Sequence, residues 1–80
     1  MEMLTMDRLI EVTRYSERIP FPVEILNAKT TASDYLSVVF CKRLDKEEFV
    51  TWSFNHSCGG FYLGHYFVNK AEAVKDFIVR

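Results

Sequence analysis

The chain is poor in residues that staple, break or strongly charge a small protein: two cysteines, two prolines and three glycines in 80 residues, with a formal net charge of −1. Two cysteines form at most a single disulfide. With no basic-then-apolar export signal from Met1 to Arg8, they are expected to be free thiols in a reducing compartment, the cytoplasm. Charges of both signs interleave along the chain, which excludes a basic field for nucleic acid and an acidic block that mimics it. No apolar run reaches the roughly 20 residues that span a bilayer, so no membrane partner is expected. The glycine pair Gly59-Gly60 joins strand to strand and opens no helix, which excludes a phosphate-cradling loop.

What the chain has is aromatic surface. Seven Phe, four Tyr and one Trp offer about 150–250 Å² each for burial, enough for one compact domain over residues 1–80 without a staple. From Leu4 to Arg18, Met6, Leu9, Ile10 and Thr13, with Val12 flanking, fall on one side of a helical wheel and Asp7, Arg8, Glu11, Arg14 and Arg18 on the other. Thr5 is the candidate N-cap, and Pro20 with Pro22 ends the helix.

Val23-Glu24-Ile25-Leu26 reads as a brief strand, placed at an edge by Pro22, and Lys29 to Asp34 as a polar loop. Tyr35 to Arg43 alternates as a central strand, and Leu44 to Glu48 is a charged hairpin connection. Pairing Leu44 with Glu48 sets Phe40 opposite Trp52 and Val38 opposite Phe54; a one-residue slip would bury Ser37 and Cys41 instead. A second hairpin turns over Ser57 to Gly60, pairing Phe54 with Leu63 and Trp52 with His65. That register puts Val50, Trp52, Phe54, Phe61, Leu63, His65 and Phe67 on the core face. Thr51, Ser53, Asn55, Tyr62, Gly64 and Tyr66 take the outer face.

Asn69 and Glu72 have capping-box spacing, and Ala71, Val74, Phe77 and Ile78 make an apolar helical stripe. The fold class is therefore α+β in two layers: helix, four strands, helix, with an antiparallel meander and both helices on one face. The run Gly64-His65-Tyr66-Phe67 with Glu72-Ala73 and Asp76-Phe77 resembles segments of short bacterial and phage proteins; it identifies no family.

These positions bear on several chemistries. His56, Cys58 and His65 are reasonable zinc ligand types, but strand spacing separates the two histidines by roughly 13 Å at about 3.3 Å per residue, and no paired ligand spacing occurs. No metal or cofactor is expected. Cys58 with His56 as base would make a nucleophile on a hairpin tip, without an orienting third group or a cleft. Cys41 and Cys58 lie roughly 16 Å apart in this register, too far for a disulfide. His65 on the core face reads as a structural imidazole bonded to a neighbour.

The remaining surface is the outer sheet face, with Tyr35, Tyr62 and Tyr66 around Thr51, Ser53 and Asn55. Exposed aromatics among small polar groups favour protein contacts. The expectation is a non-catalytic cytosolic protein-interaction or inhibitory module binding a protein, or itself, through this face or a strand edge. One alternative is single-stranded nucleic acid stacked on Tyr62 and Tyr66, against which stands the lack of Lys and Arg on the face. An enzyme using Cys58 and His56 is the second alternative.

Overall fold

A computed structural model describes residues 4–80; the part of the N-terminal reading that concerns residues 1–3 lies outside the described residues. Helix α1 (Met6–Tyr15) begins where expected, but its inward side is centred on Val12, and Met6, Ile10 and Thr13 of the expected stripe are exposed. The Thr5 side chain accepts from the Arg8 backbone N–H at 3.3 Å, with Asp7 in the first turn and Arg14 in the last to complement the helix dipole. A short 3-10 turn (Ser16–Arg18) leads through the prolines into β1 (Val23–Thr30), β2 (Leu36–Arg43), β3 (Phe49–Asn55), β4 (Gly60–Phe67) and α2 (Lys70–Val79). At α2 the Asn69 side chain accepts from the Glu72 backbone N–H at 3.1 Å. The strands lie in the order β1-β2-β3-β4, each antiparallel to its neighbour, so the α+β meander stands. Strand β1 runs four residues past Leu26 because a bulge between Ile25 and Asn27 lets the chain stay paired with β2, taking Lys29 and Thr30 out of the expected loop.

The helices do not share a face. Val12 of α1 packs on Ala28, Val39, Cys41, Val50, Trp52 and Phe54, whereas Ala73 and Phe77 of α2 pack on Val38, Phe40 and Phe49. Odd-numbered residues of β2 point one way and even-numbered ones the other, so the two clusters lie on opposite sides of the sheet. The architecture is helix, sheet, helix: three layers where two were expected. The physical reason is that β2 is apolar on both faces, Val39 and Cys41 on one and Val38 and Phe40 with neighbouring Phe49 on the other, and each face needs a cover.

The first hairpin adopts the slipped register. Val39 pairs with Trp52, Ser37 with Phe54 and Cys41 with Val50; Ser37 and Cys41 are buried accordingly. Arg43 fixes the loop, its N–H bonding to the Glu48 carbonyl at 2.9 Å and its guanidinium pairing with Asp45 at 2.7 Å and Glu48 at 3.0 Å.

The second hairpin also differs. Asn55 pairs with Gly60 and Phe54 with Phe61, so the four-residue turn runs over His56–Gly59, one position earlier than expected. Gly59 sits at φ 71°, and the Tyr15 ring covers it so closely that an added Cβ would stand 2.8 Å away. Between Ser53–Tyr62 and Thr51–His65 the register shifts, so Leu63 and Gly64 together oppose Trp52. Leu63 occupies the left-handed region at φ 53° and points outward, 65% exposed, which removes it from the expected core.

Candidate functional site

The bulge at Leu63 and Gly64 divides the expected tyrosine face. Tyr62 pairs with Ser53 on the α2 side, while Tyr66 pairs with Val50 on the α1 side. There Tyr66 joins an aromatic cluster, its ring centroid 5.7 Å from Trp52 and 6.3 Å from Phe21. Tyr35 precedes β2, exposed, with its carbonyl accepting from the His56 N–H at 2.7 Å. Asn55 closes the hairpin by accepting from the Ser57 N–H at 2.8 Å. The six expected binding residues therefore do not form one open surface. Tyr62 and Tyr66 lie on opposite faces of the sheet.

Thr51, Ser53 and Tyr62 do share the α2 side, where a polar cluster has formed that the sequence reading missed. Arg80, just beyond α2, donates from Nη1 to the Thr51 carbonyl at 2.9 Å and Thr51 Oγ1 at 3.0 Å. Its Nη2 donates to Ser53 Oγ at 3.0 Å and to the Leu63 carbonyl at 2.7 Å. Thr51 Oγ1 donates in turn to Asp76 Oδ2 at 2.5 Å, which also accepts from His65 Nδ1 at 3.0 Å. Burial of the Asp76 carboxyl pushes its pKa up, but the hydrogen bonds from Thr51 and His65 and the charges of His65 and Arg80 outweigh this and hold it below the usual carboxylate value. Desolvation lowers the Arg80 value. The i to i+4 spacing of Asp76 and Arg80 was the legible signal, since it puts both groups on one side of the chain as it leaves the helix. His65 is not a core imidazole: it stands at the rim of this cluster, half exposed.

A second polar chain lies on the α1 side. Glu11 of α1 accepts from His56 Nδ1, which leaves Nε2 to accept from Ser37 Oγ at 2.7 Å. The order hydroxyl, imidazole, carboxylate is that of a nucleophilic relay. Ser37, however, is only 1% exposed and the His56 side chain is buried. The relay therefore fastens α1 to the start of β2 and the end of β3. With both ring nitrogens engaged, His56 is not placed to act as a base for Cys58. The Cys58 thiol is exposed on the turn, and its carbonyl accepts from Arg18 Nη1 at 2.9 Å.

The two histidines sit on opposite faces, and among the described residues no group of three His, Cys, Asp or Glu side chains is arranged to hold a metal ion. A cleft of about 600 Å³ between the end of β1 and α2 is lined by Lys29 and Arg80. Both cations turn inward: the buried Lys29 donates to the Ile78 carbonyl at 2.9 Å, and burial lowers its pKa. Among the described residues, no helix is long and apolar enough to cross a membrane.

The outer strands remain, and they differ. Along β4, Tyr62, Leu63 and Tyr66 are exposed, and Val68 just beyond it is 77% exposed; none of Gly60–Phe67 is Asp, Glu, Lys or Arg. Strand β1 carries Glu24 and Lys29, is bulged at Leu26 and is entered through Pro22. No protein-family model, curated protein or solved structure matches the chain.

Proposed function

We propose that this chain is a small protein-interaction module, inhibitory or adaptor in kind, that engages its partner by strand addition along the free edge of β4. The observation that carries this reading is the contrast between the two sheet edges. Folded proteins blunt exposed edge strands with charges, prolines and bulges, because unpaired N–H and C=O groups otherwise recruit a further strand. Strand β1 has all three devices; β4 has a bulge alone and displays aromatic and aliphatic side chains beside its edge. Main-chain bonds would supply affinity, and Tyr62 and Tyr66, one to each face, would supply specificity.

The non-catalytic part of the reading is supported by the engagement of both His56 nitrogens and by the burial of Ser37. Two free cysteines suit a reducing cytoplasm. Substituting Leu63→Lys with Val68→Lys tests the reading, because both side chains are exposed and the fold should survive. The double variant should lose the proteins that wild type captures. If it retains them, while substitution of the exposed Met6 and Ile10 on α1 abolishes capture, the interface lies on α1 and the reading fails.

A further inference from the structure

We infer that the partner strand at the β4 edge is β4 of a second copy of this chain, joined in a two-fold antiparallel pair that makes one eight-stranded sheet. The inference rests on the edge reading above and deepens it by naming the occupant. A two-fold axis across an antiparallel pair matches each unpaired donor with the equivalent acceptor of the other copy, so one edge is complementary to itself. Electrostatics permits it. With no Asp, Glu, Lys or Arg in Gly60–Phe67, the strand's own side chains bring no like charges together on self-pairing and offer no charge by which to select a charged foreign strand; the Arg80 guanidinium near the axis is held to its own molecule by four hydrogen bonds. Its one titratable imidazole, His65, is turned to Asp76 within the same molecule.

The other edge decides between closure and growth. A head-to-tail contact of β4 on β1 would repeat without end and form filaments. Glu24, the bulge at Leu26 and the Pro22 entry oppose a strand there, so pairing through β4 stops at two copies. Both faces also continue across the axis: Tyr66 extends the aromatic cluster of Phe21 and Trp52 on the α1 side, and Tyr62 extends the α2 side. Full overlap of the strand centres the axis between Leu63 and Gly64 and sets the two outward Leu63 side chains beside each other. The Leu63 carbonyl is already bonded to Arg80, so the ladder forms on the two wings that flank the bulge. An eight-residue edge buries much less than the roughly 1,600 Å² of a standard interface, so the dimer is weak and concentration-dependent.

Sedimentation velocity on the full chain, from low micromolar to near-millimolar concentration, tests this. Wild type should shift reversibly from monomer to dimer. Leu63→Lys and Leu63→Glu should each remain monomeric over that range, and an equimolar mixture of the two should regain the dimer. Circular dichroism confirms that each variant is folded; should either fail to fold, Leu63→Cys in a Cys58→Ser background should cross-link between copies under mild oxidation. A wild type that stays monomeric, or a dimer that the single charged variants leave intact, overturns the inference. If wild type is monomeric yet the Leu63→Lys, Val68→Lys chain loses its captured proteins, the edge reading survives and only the second copy is wrong. If capture too is unchanged, both fall.

Discussion

The Trp52 ring occupies the space that a side chain at position 64 would need: a Cβ added to Gly64 would stand 2.6 Å from Trp52 Cζ3 and 3.0 Å from Cε3 and Cη2. The contact is made by the ring of a core residue and leaves no flexible end to swing away. Gly64→Ala should therefore destabilise the fold by about 1–3 kcal/mol through overpacking. Urea unfolding followed by far-UV circular dichroism measures it in both backgrounds. In a Trp52→Leu background the same substitution should cost far less, and equal costs in both backgrounds would show that the ring is not the obstacle.

The Ser37 hydroxyl depends on His56. Replacing His56→Ala removes the acceptor of a hydroxyl that is almost wholly buried, at a cost of about 1–3 kcal/mol, and releases Glu11 from the end of β3. A double-mutant cycle with Ser37→Ala should be non-additive, the pair costing less than the two single changes together. Additivity would mean that hydroxyl and imidazole do not interact.

Acid should weaken the α2 side. Asp76 has a folded pKa below its ordinary value, so its contribution to stability is fully present above the unfolded carboxyl value and is lost as pH falls through the folded one. Urea midpoints should accordingly fall below the usual carboxylate range. Asp76→Asn should lower stability at neutral pH and flatten this acid limb. A limb of unchanged steepness in the variant would assign the loss to other carboxyls.

Arg80 reaches four acceptors with two guanidinium nitrogens, a fork that an ammonium group cannot copy. Both Arg80→Ala and Arg80→Lys should cost about 1–3 kcal/mol. Full rescue by lysine would show that charge alone matters at this position.

The thiols should report folding separately. Burial pushes Cys41 up to about 12, while Cys58 is exposed on its turn. In the native state an alkylating reagent should modify Cys58 alone, read by intact mass, and Cys41 should react at the rate at which the sheet opens.

Local signals carried much of the fold. Thr5 and Asn69 announce their helices because a short polar side chain before an apolar periodicity satisfies the first orphan N–H groups. The meander follows from four apolar runs joined by short polar turns. Which side each helix covers was not legible, because Val38 and Phe40 on one face of β2 are as apolar as Val39 and Cys41 on the other. The register was not legible because both faces of β2 are covered, so a slip exposes neither apolar set, and the buried Ser37 is made tolerable by its long-range bond to His56. The candidate site was legible only in part. Tyr62 and Tyr66 are separated by a bulge in which Leu63 adopts a conformation that leucine seldom takes, and nothing at position 63 announces it. Gly64 marks the place, but a glycine in a strand does not say which residue bends.

Helices on opposite sides of a shared sheet also set an order of events during synthesis. The α1 side has its cover before any strand is made, whereas Val38, Phe40 and Phe49 have none until Ala73 and Phe77 have followed them out of the ribosome. Until α2 has been made, that face of the sheet has no cover within the chain, so the last ten-residue helix is what closes the second core.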